Sequence, residues 1–268
     1  MATESRHRDA IARPEAESTL AVDDGIATVV LGRPGRGNAL SAGFVEAVLE
    51  AVERACADAS VHTLALRAQG RHFCTGFDLS DLEAQTDATL LHRFVRIETL
   101  LDALWRAPLR TVAIAQGRVM GAGADLFAAC DRRLLAPGAS LRFPGAGFGI
   151  VLGSRRLATR VGSATALQWV SEATTIDART ALAAGLATAV LERDPPQDEA
   201  TAAAEAAAAL AALPTPAVDH DTFAALRAAT GDAGTNSELA ALVRSAARPG
   251  LRERLVAYRD RQLAARPR

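Results

Sequence analysis

The chain has 268 residues, 49% of them hydrophobic and 23% charged, which suits one large packed domain, or a domain with a helical extension, and argues against disorder over most of the length. The 30 basic and 31 acidic residues leave a formal net charge of −1, so no broad attraction to nucleic acid or anionic lipid is expected. Every basic residue is an arginine, which excludes a lysine Schiff base and makes any phosphate contact from a basic side chain a forked one. Cys56, Cys74 and Cys130 match no zinc spacing and are odd in number, so they read as reduced core thiols. No apolar run reaches membrane-spanning length, and MATESRHRDA has no apolar segment behind its charges, so a cytoplasmic location is expected.

Residues 1–17 are polar and read as a flexible N-terminus. STLAVDD and GIATVVLGRP then read as two strands joined at Asp23–Asp24–Gly25, a hairpin turn. Ser41 looks like an N-cap for a helix over 42–57, whose Phe44, Val45, Val48, Leu49, Val52 and Ala55 fall on one face. VHTLALRA (61–68) is a predicted strand and leads into the loop QGRHFCTGFDLSDL. Residues 87–105 form an amphipathic helix with Leu90, Leu91, Phe94, Ile97, Leu100, Leu101 and Leu104 in step, and Pro108 follows as a stop. TVAIAQG (111–117) is an apolar strand, and GAGADLFAACD reads as a helix launched from the turn after it. RRLLA and SLRF are short strands. Strands and helices alternate in this way to about residue 190, which predicts an α/β architecture with buried parallel strands. After Pro195–Pro196 the character changes. The Ala-rich 200–212 tract is a strong helix former with small side chains suited to close packing, and two or three further helices follow.

Two constructions carry the functional signal. Strand TLALRA runs into Phe73-Cys74-Thr75-Gly76-Phe77-Asp78-Leu79, and strand TVAIAQG into Val119-Met120-Gly121-Ala122-Gly123-Ala124-Asp125-Leu126. Each places glycine where the chain leaves a buried sheet, which permits tight turning and close approach of a ligand to the backbone. The second turn opens a helix, whose unpaired N–H groups and positive dipole end favour negative charge. GRVMGAGAD does not have the glycine spacing of a dinucleotide fingerprint, which argues against a Rossmann dehydrogenase.

Together these stretches resemble the crotonase (enoyl-CoA hydratase/isomerase) superfamily. LGRPGRGNALS (31–41) is similar to its first signature, HFCTGFDLSDL (72–82) to its first oxyanion loop, GRVMGAGADLFAACDRRLLAPGASLRFP (117–144) to its second loop, helix and following strands, and TTIDARTALAAGLATAVL (174–191) to the segment after its active site. The resemblance covers roughly 18–192. It implies an α/β fold, a crotonase-like spiral of ββα units over 18–195, with a C-terminal helical trimerisation region over 196–268 and assembly into trimers or hexamers. It implies an acyl-CoA thioester as substrate, coenzyme A being part of that substrate, with no further cofactor, no metal, no nucleic acid and no membrane partner.

By position, the resemblance assigns the thioester oxygen to the backbone N–H groups of Phe77 and Ala122, where the family commonly has glycine for Ala122. Coenzyme A contacts map to Arg36, Gly37, Ala39, Thr75, Gly76, Asp78 and Leu79. Arg36 reads equally as a solvated loop residue. Phe94, Phe143 and Phe148 are assigned to the acyl pocket wall, although core packing explains them as well. Family hydratases carry two facing glutamates; here the first position is Asp125 and the second is Gly145. A lone carboxylate suits double-bond isomerisation better than hydration. Asp125 also has a purely structural reading, as an acid favoured in the first turn of its helix. His72, His92 and Glu98 are weaker candidates, and Asp131 reads as structural. Decarboxylation, C–C hydrolysis or dehalogenation of a thioester, and acyl-CoA binding without catalysis, are the alternatives.

Overall fold

The computed structural model describes residues 18–196, 198–230 and 235–265. The polar stretch 1–17 lies outside them. β1 (Ser18–Asp23) and β2 (Ile26–Leu31) pair as an antiparallel hairpin with Asp23 opposite Ile26. Asp24 and Gly25 take φ of 43° and 70°, the two positive angles that a tight two-residue hairpin turn requires. α1 (Ala42–Ala57) starts where the Ser41 hydroxyl accepts a hydrogen bond from the Phe44 N–H at 3.3 Å, and it buries the apolar face that its spacing marks.

β3 (Thr63–Ala68), α2 (Asp87–Arg106) and β4 (Arg110–Ala115) continue the alternation. α2 is opened by a reciprocal cap between Thr86 and Thr89. Then come β5 (Arg118–Met120), α3 (Ala122–Ala129), β6 (Arg132–Leu135) and β7 (Ser140–Arg142). α4 (Ser154–Val161), α5 (Ser163–Ser171), β8 (Ile176–Asp177), α6 (Ala178–Ala183) and β9 (Ala189–Val190) follow. The main sheet has the order β1-β2-β3-β4-β6-β9, parallel from β2 onward, and a second sheet has the order β5-β7-β8. The predicted strand 111–117 therefore ends early. The chain turns at Gln116–Gly117, and Arg118–Met120 joins the second sheet, where Val119 pairs with Leu141.

Side-chain alternation splits the main sheet between two apolar layers. Leu64, Leu66, Ala113 and Ala115 face the large core shared with α1, α2 and α3. Ala65, Val112, Ile114 and Leu134 face the other way, against Ala206 and Leu210 of α7 (Glu199–Ala211). Leu210 alone, 4% exposed, contributes about 1.5–3 kcal/mol by burial. The small alanine side chains of α7 allow the helix to lie close to the sheet. α8 (His220–Thr230), α9 (Thr235–Ala246) and α10 (Leu251–Ala264) return to the α/β part. Leu242, Ala246, Leu251 and Leu255 pack with Leu82, Leu90, Phe94 and Ile150. The Asp87 carboxylate accepts hydrogen bonds from the Leu251 and Arg252 N–H groups at the start of α10, and Arg227 on α8 pairs with Asp131.

The three cysteines are free. Burial pushes the Cys74 and Cys130 thiols up to about 12 and that of Cys56 to about 11. Among the described residues no helix is long and apolar enough to cross a membrane, and no group of three or more His, Cys, Asp or Glu side chains could hold a metal ion.

Candidate active site

The two glycine turns foreseen in the sequence lie against each other. The Met120 N–H donates to the Cys74 carbonyl at 2.9 Å, and the Phe73 N–H to the Gln116 carbonyl at 2.9 Å. A Cβ on Gly123 would stand 2.4 Å from the Cys74 carbonyl oxygen, and one on Gly76 would stand 2.7 Å from that of Met120. Only glycine permits this approach of backbone to backbone.

The same contact exposes two donors. Phe77 bridges Leu40 in parallel fashion: the Leu40 N–H donates to the Gly76 carbonyl and the Asp78 N–H to the Leu40 carbonyl. Such a bridge leaves the Phe77 N–H on the opposite side. Ala122 is the first residue of α3, so its N–H has no partner within the helix, and its φ is not left-handed. Among the described residues neither N–H donates to another group.

Phe77 and Ala122 border one cavity of about 930 Å³. Ala39, Thr75, Gly76 and Leu79 line it, and so do Phe94, Phe143 and Phe148. Phe94 stacks on Phe77 with ring centroids 4.5 Å apart, and Phe148 tilts against Tyr258. Asp125 enters from the first turn of α3, and Gly145 borders the cavity from the turn after β7. Asp125 is the one carboxylate among the described lining residues.

Three sequence-level site residues stand elsewhere. Arg36 is exposed on the loop before Asn38, outside the lining. Gly37 lies behind the cavity wall, its carbonyl accepting the Thr75 N–H at 3.0 Å. Asp78 turns away, accepting from Arg33 at 3.2 Å and from the Ser80 N–H at 3.0 Å. Burial pushes the Asp78 carboxyl up, but Ser80 and Arg33 outweigh it and hold the group below its usual range. Asn38 organises this loop: it accepts from the Arg33 N–H and donates to the Gln69 and His72 carbonyls, which ties the 31–41 stretch to the first glycine turn.

Asp125 is 5% exposed, and its Oδ1 has no hydrogen-bond partner among the described residues. Burial pushes its pKa well above the usual carboxylate value; Arg156 opposes this, and Glu98 and Glu238 reinforce it. Behind it lies a buried ion cluster. Arg156 forks to Glu98 at 2.7 and 3.1 Å and reaches Glu238 at 2.8 Å, with Asp102 at 3.5 Å. One cation thus serves three acids and is held charged by them. Glu98, which the sequence offered as a candidate, is the counter-ion of Arg156 and does not border the cavity. His92 faces a separate groove of about 390 Å³ between α1 and α2. The His72 Nδ1 accepts the Arg118 N–H at 3.2 Å, and burial together with Arg118 and Arg71 pushes its pKa down.

Sequence reasoning missed Arg118, Arg142, Tyr258 and Gln262, all of which border the cavity. Alternation along SLRF puts Arg142 opposite the core-facing Leu141, a signal available in the sequence but tied to no motif.

A model of the family described as enoyl-CoA hydratase/isomerase matches residues 21–259, and the chain belongs to that family. An enoyl-CoA hydratase/isomerase homologue of Bordetella parapertussis, known from a crystal structure, is 38% identical and superposes with a TM-score of 0.81 over 94% of this chain and 100% of its own. An enoyl-CoA hydratase structure from Mycobacterium avium subsp. paratuberculosis K-10 is 25% identical with a TM-score of 0.70, over 92% of this chain and 97% of its own. The "Probable enoyl-CoA hydratase echA6" of Mycobacterium leprae is 35% identical over 61% of this chain and 67% of its own length. The ethylmalonyl-CoA decarboxylase of Rattus norvegicus is 34% identical over 68% of this chain and 62% of its own. The matched segment thus spans about two thirds of these curated relatives. The chain accordingly has the mixed α/β crotonase fold of these structures.

Proposed function

We propose that the protein acts on a coenzyme A thioester, with the thioester oxygen accepting hydrogen bonds from the Phe77 and Ala122 N–H groups and Asp125 moving a proton at a carbon of the acyl chain. The observation that carries this reading is the meeting, on one cavity, of one buried carboxyl and two N–H groups without partners among the described residues. Removing a proton from a 3-enoyl thioester leaves an electron pair delocalised onto the thioester oxygen. Two fixed N–H dipoles and the N-terminal end of α3 stabilise that charge. One carboxylate suffices to take the proton from one carbon and return it to another. Adding water takes a second group to activate it, and Gly145 has none to offer. Isomerisation is therefore favoured over hydration. Ala39, Thr75, Gly76 and Leu79 are the wall against which the coenzyme arm lies, with Arg36, Gly37 and Asp78 as supports around it. Assembly into trimers or hexamers and the need for no other cofactor belong to the same proposal and rest on the family resemblance; a cytoplasmic location belongs to it as well and rests on the sequence pattern.

A second reading is decarboxylation of a 2-carboxyacyl thioester. The relatives named ethylmalonyl-CoA decarboxylase favour it, as does the raised proton affinity of Asp125. Departure of CO2 leaves its electron pair on the same enolate without any base, and a protonated Asp125 then delivers a proton to C2. Incubation of 2-enoyl, 3-enoyl and 2-carboxyacyl thioesters in deuterated water, followed by mass spectrometry for wild type and Asp125→Asn, tests both. Conversion with deuterium uptake in wild type, reduced roughly 10²–10⁴-fold in the variant, supports the assignment, and the product tells the readings apart. Binding without exchange or conversion by either protein makes the chain an acyl-CoA-binding homologue instead.

A further inference from the structure

The cavity has a cationic wall that the proposed chemistry does not use. In the second sheet Arg118 pairs with Ser140 and Met120 with Arg142. Val119 and Leu141, between them, are fully buried in the core, so Arg118, Met120 and Arg142 project together on the opposite face, toward the cavity. The Arg142 Nε donates to the Ala173 carbonyl at 2.6 Å, which fixes the guanidinium and leaves its two terminal nitrogens without an acceptor among the described residues. No hydrogen bond or ion pair engages the Arg118 guanidinium among them either. The other polar side chains among the described lining residues are Thr75, Ser154, Thr175, Tyr258 and Gln262, all uncharged. Asp125 is the only acid among the described residues lining the cavity, and burial disfavours its charged form.

Arg142, half-buried, and Arg118, exposed, have no ion-pair partner among the described residues, and on the wall of a substrate cavity their guanidinium groups are placed to receive an anion from the ligand. The position of Arg142 says which end of the ligand supplies it. Its carbonyl accepts the Gly121 N–H at 2.9 Å, so its backbone adjoins the turn that carries the Ala122 donor, and Pro144–Gly145 follow it directly along the same wall. That is the end of the cavity where the Ala122 donor and Gly145 stand.

We propose that Arg142, assisted by Arg118, forms an anion subsite for a carboxylate on the acyl group, and that the substrate is the coenzyme A monothioester of a dicarboxylic acid whose free carboxylate survives the reaction. The inference rests on the thioester reading and names its substrate class. The carboxylate must be one that stays. A guanidinium forked to a departing carboxylate stabilises the starting state more than the transition state, in which that charge leaves, and slows the loss of CO2. Arg142 bound to a spectator carboxylate orients the acyl chain at no such cost.

Coenzyme A thioethers test this independently, because they have no thioester carbonyl and form no enolate. Calorimetry would compare coenzyme A, S-butyl-coenzyme A and S-(3-carboxypropyl)-coenzyme A on wild type, Arg142→Met and Arg142→Lys. The expected result is a preference of about tenfold or more for the carboxylated thioether over the butyl one, lost in Arg142→Met and partly kept in Arg142→Lys. The wild-type comparison stands even if a variant fails to fold. Equal affinity of wild type for the two thioethers overturns the proposal. So does a uniform weakening of all three ligands in both folded variants, which assigns the arginine to a coenzyme phosphate. Failure of the thioester reading shows up separately, as absence of exchange with true thioesters.

Discussion

Gly153 stands against the carboxyl of Asp125 so closely that a Cβ on it would lie 2.3 Å from Oδ1. Gly153 also takes φ 62°, a left-handed conformation, at the start of α4. The residue that precedes α4 therefore sets how much room the candidate proton carrier has. Gly153→Ala is expected to lower stability by about 1–2 kcal/mol through backbone strain and to displace the carboxyl. Deuterium exchange on a thioester that wild type turns over should fall at least about tenfold while circular dichroism stays native, since a misplacement near 1 Å costs up to about 10²-fold. Unchanged exchange in a folded variant would show that the position of Asp125 is not critical.

The buried carboxyl of Asp125 makes stability depend on pH in a stated direction. Its pKa in the fold is raised above the ordinary value of 3.8, chiefly by burial. Such a group binds its proton more tightly folded than unfolded. The contribution is fully present below 3.8 and is lost as pH rises through the raised folded value. Asp125→Asn removes that titration. The melting temperature of the variant relative to wild type should therefore climb between pH 4 and 8, and the variant should be the more stable at the top of that range. A difference flat in pH would mean that the carboxyl is solvated in the fold.

Arg156 is 2% exposed and Glu98 is 3% exposed, so their ion pair is out of water. Removing the cation alone leaves Glu98 buried and Glu238 half-buried without it, and Arg156→Met is expected to cost about 3–5 kcal/mol in denaturant unfolding. Replacing both partners, in Arg156→Met with Glu98→Met, should recover a large part of that loss, because the dominant cost is the stranded charge and not the lost attraction. Glu238 also accepts from the Arg155 and Arg156 N–H groups at the start of α4, so Glu238→Gln keeps most of its hydrogen bonds and should be the mildest of the three.

The features legible in the sequence are those written in local chemistry. The Ser41 cap, the Asp24–Gly25 turn, the apolar faces of α1 and α2 and the glycines of both turns each declare themselves within a few residues. Gly76 and Gly123 could be seen to be special, but not that each is there for the carbonyl of the other's loop. The break between β4 and β5 is not marked by a change of period, because residues 112–115 are a continuous apolar run and Gln116–Gly117 reads equally as the end of the same strand. β8 and β9, two residues each, are too short to show alternation. The long-range polar pairs were not legible at all. Arg156 and Glu238 are 82 residues apart, and Arg33 and Asp78 are 45 apart, and nothing near either member of a pair marks its partner. For the same reason nothing in the 72–82 stretch marks Asp78 as the partner of Arg33.

By the family resemblance Gly145 corresponds to the second acid, and the backbone there is not left-handed. A Cβ at this position would meet only the Ile150 carbonyl, at 3.4 Å, an ordinary contact. The first atom of a side chain is therefore tolerated at this position on the cavity border. Gly145→Glu should fold with a stability change within about 1 kcal/mol. It should add water to a 2-enoyl thioester faster than wild type, since one carboxylate then activates water while Asp125 handles the second proton. Combining it with Asp125→Asn should remove the gain. Hydration by the wild type as fast as by Gly145→Glu would mean that some other group already activates water, and that the lone-carboxylate account of this site is wrong.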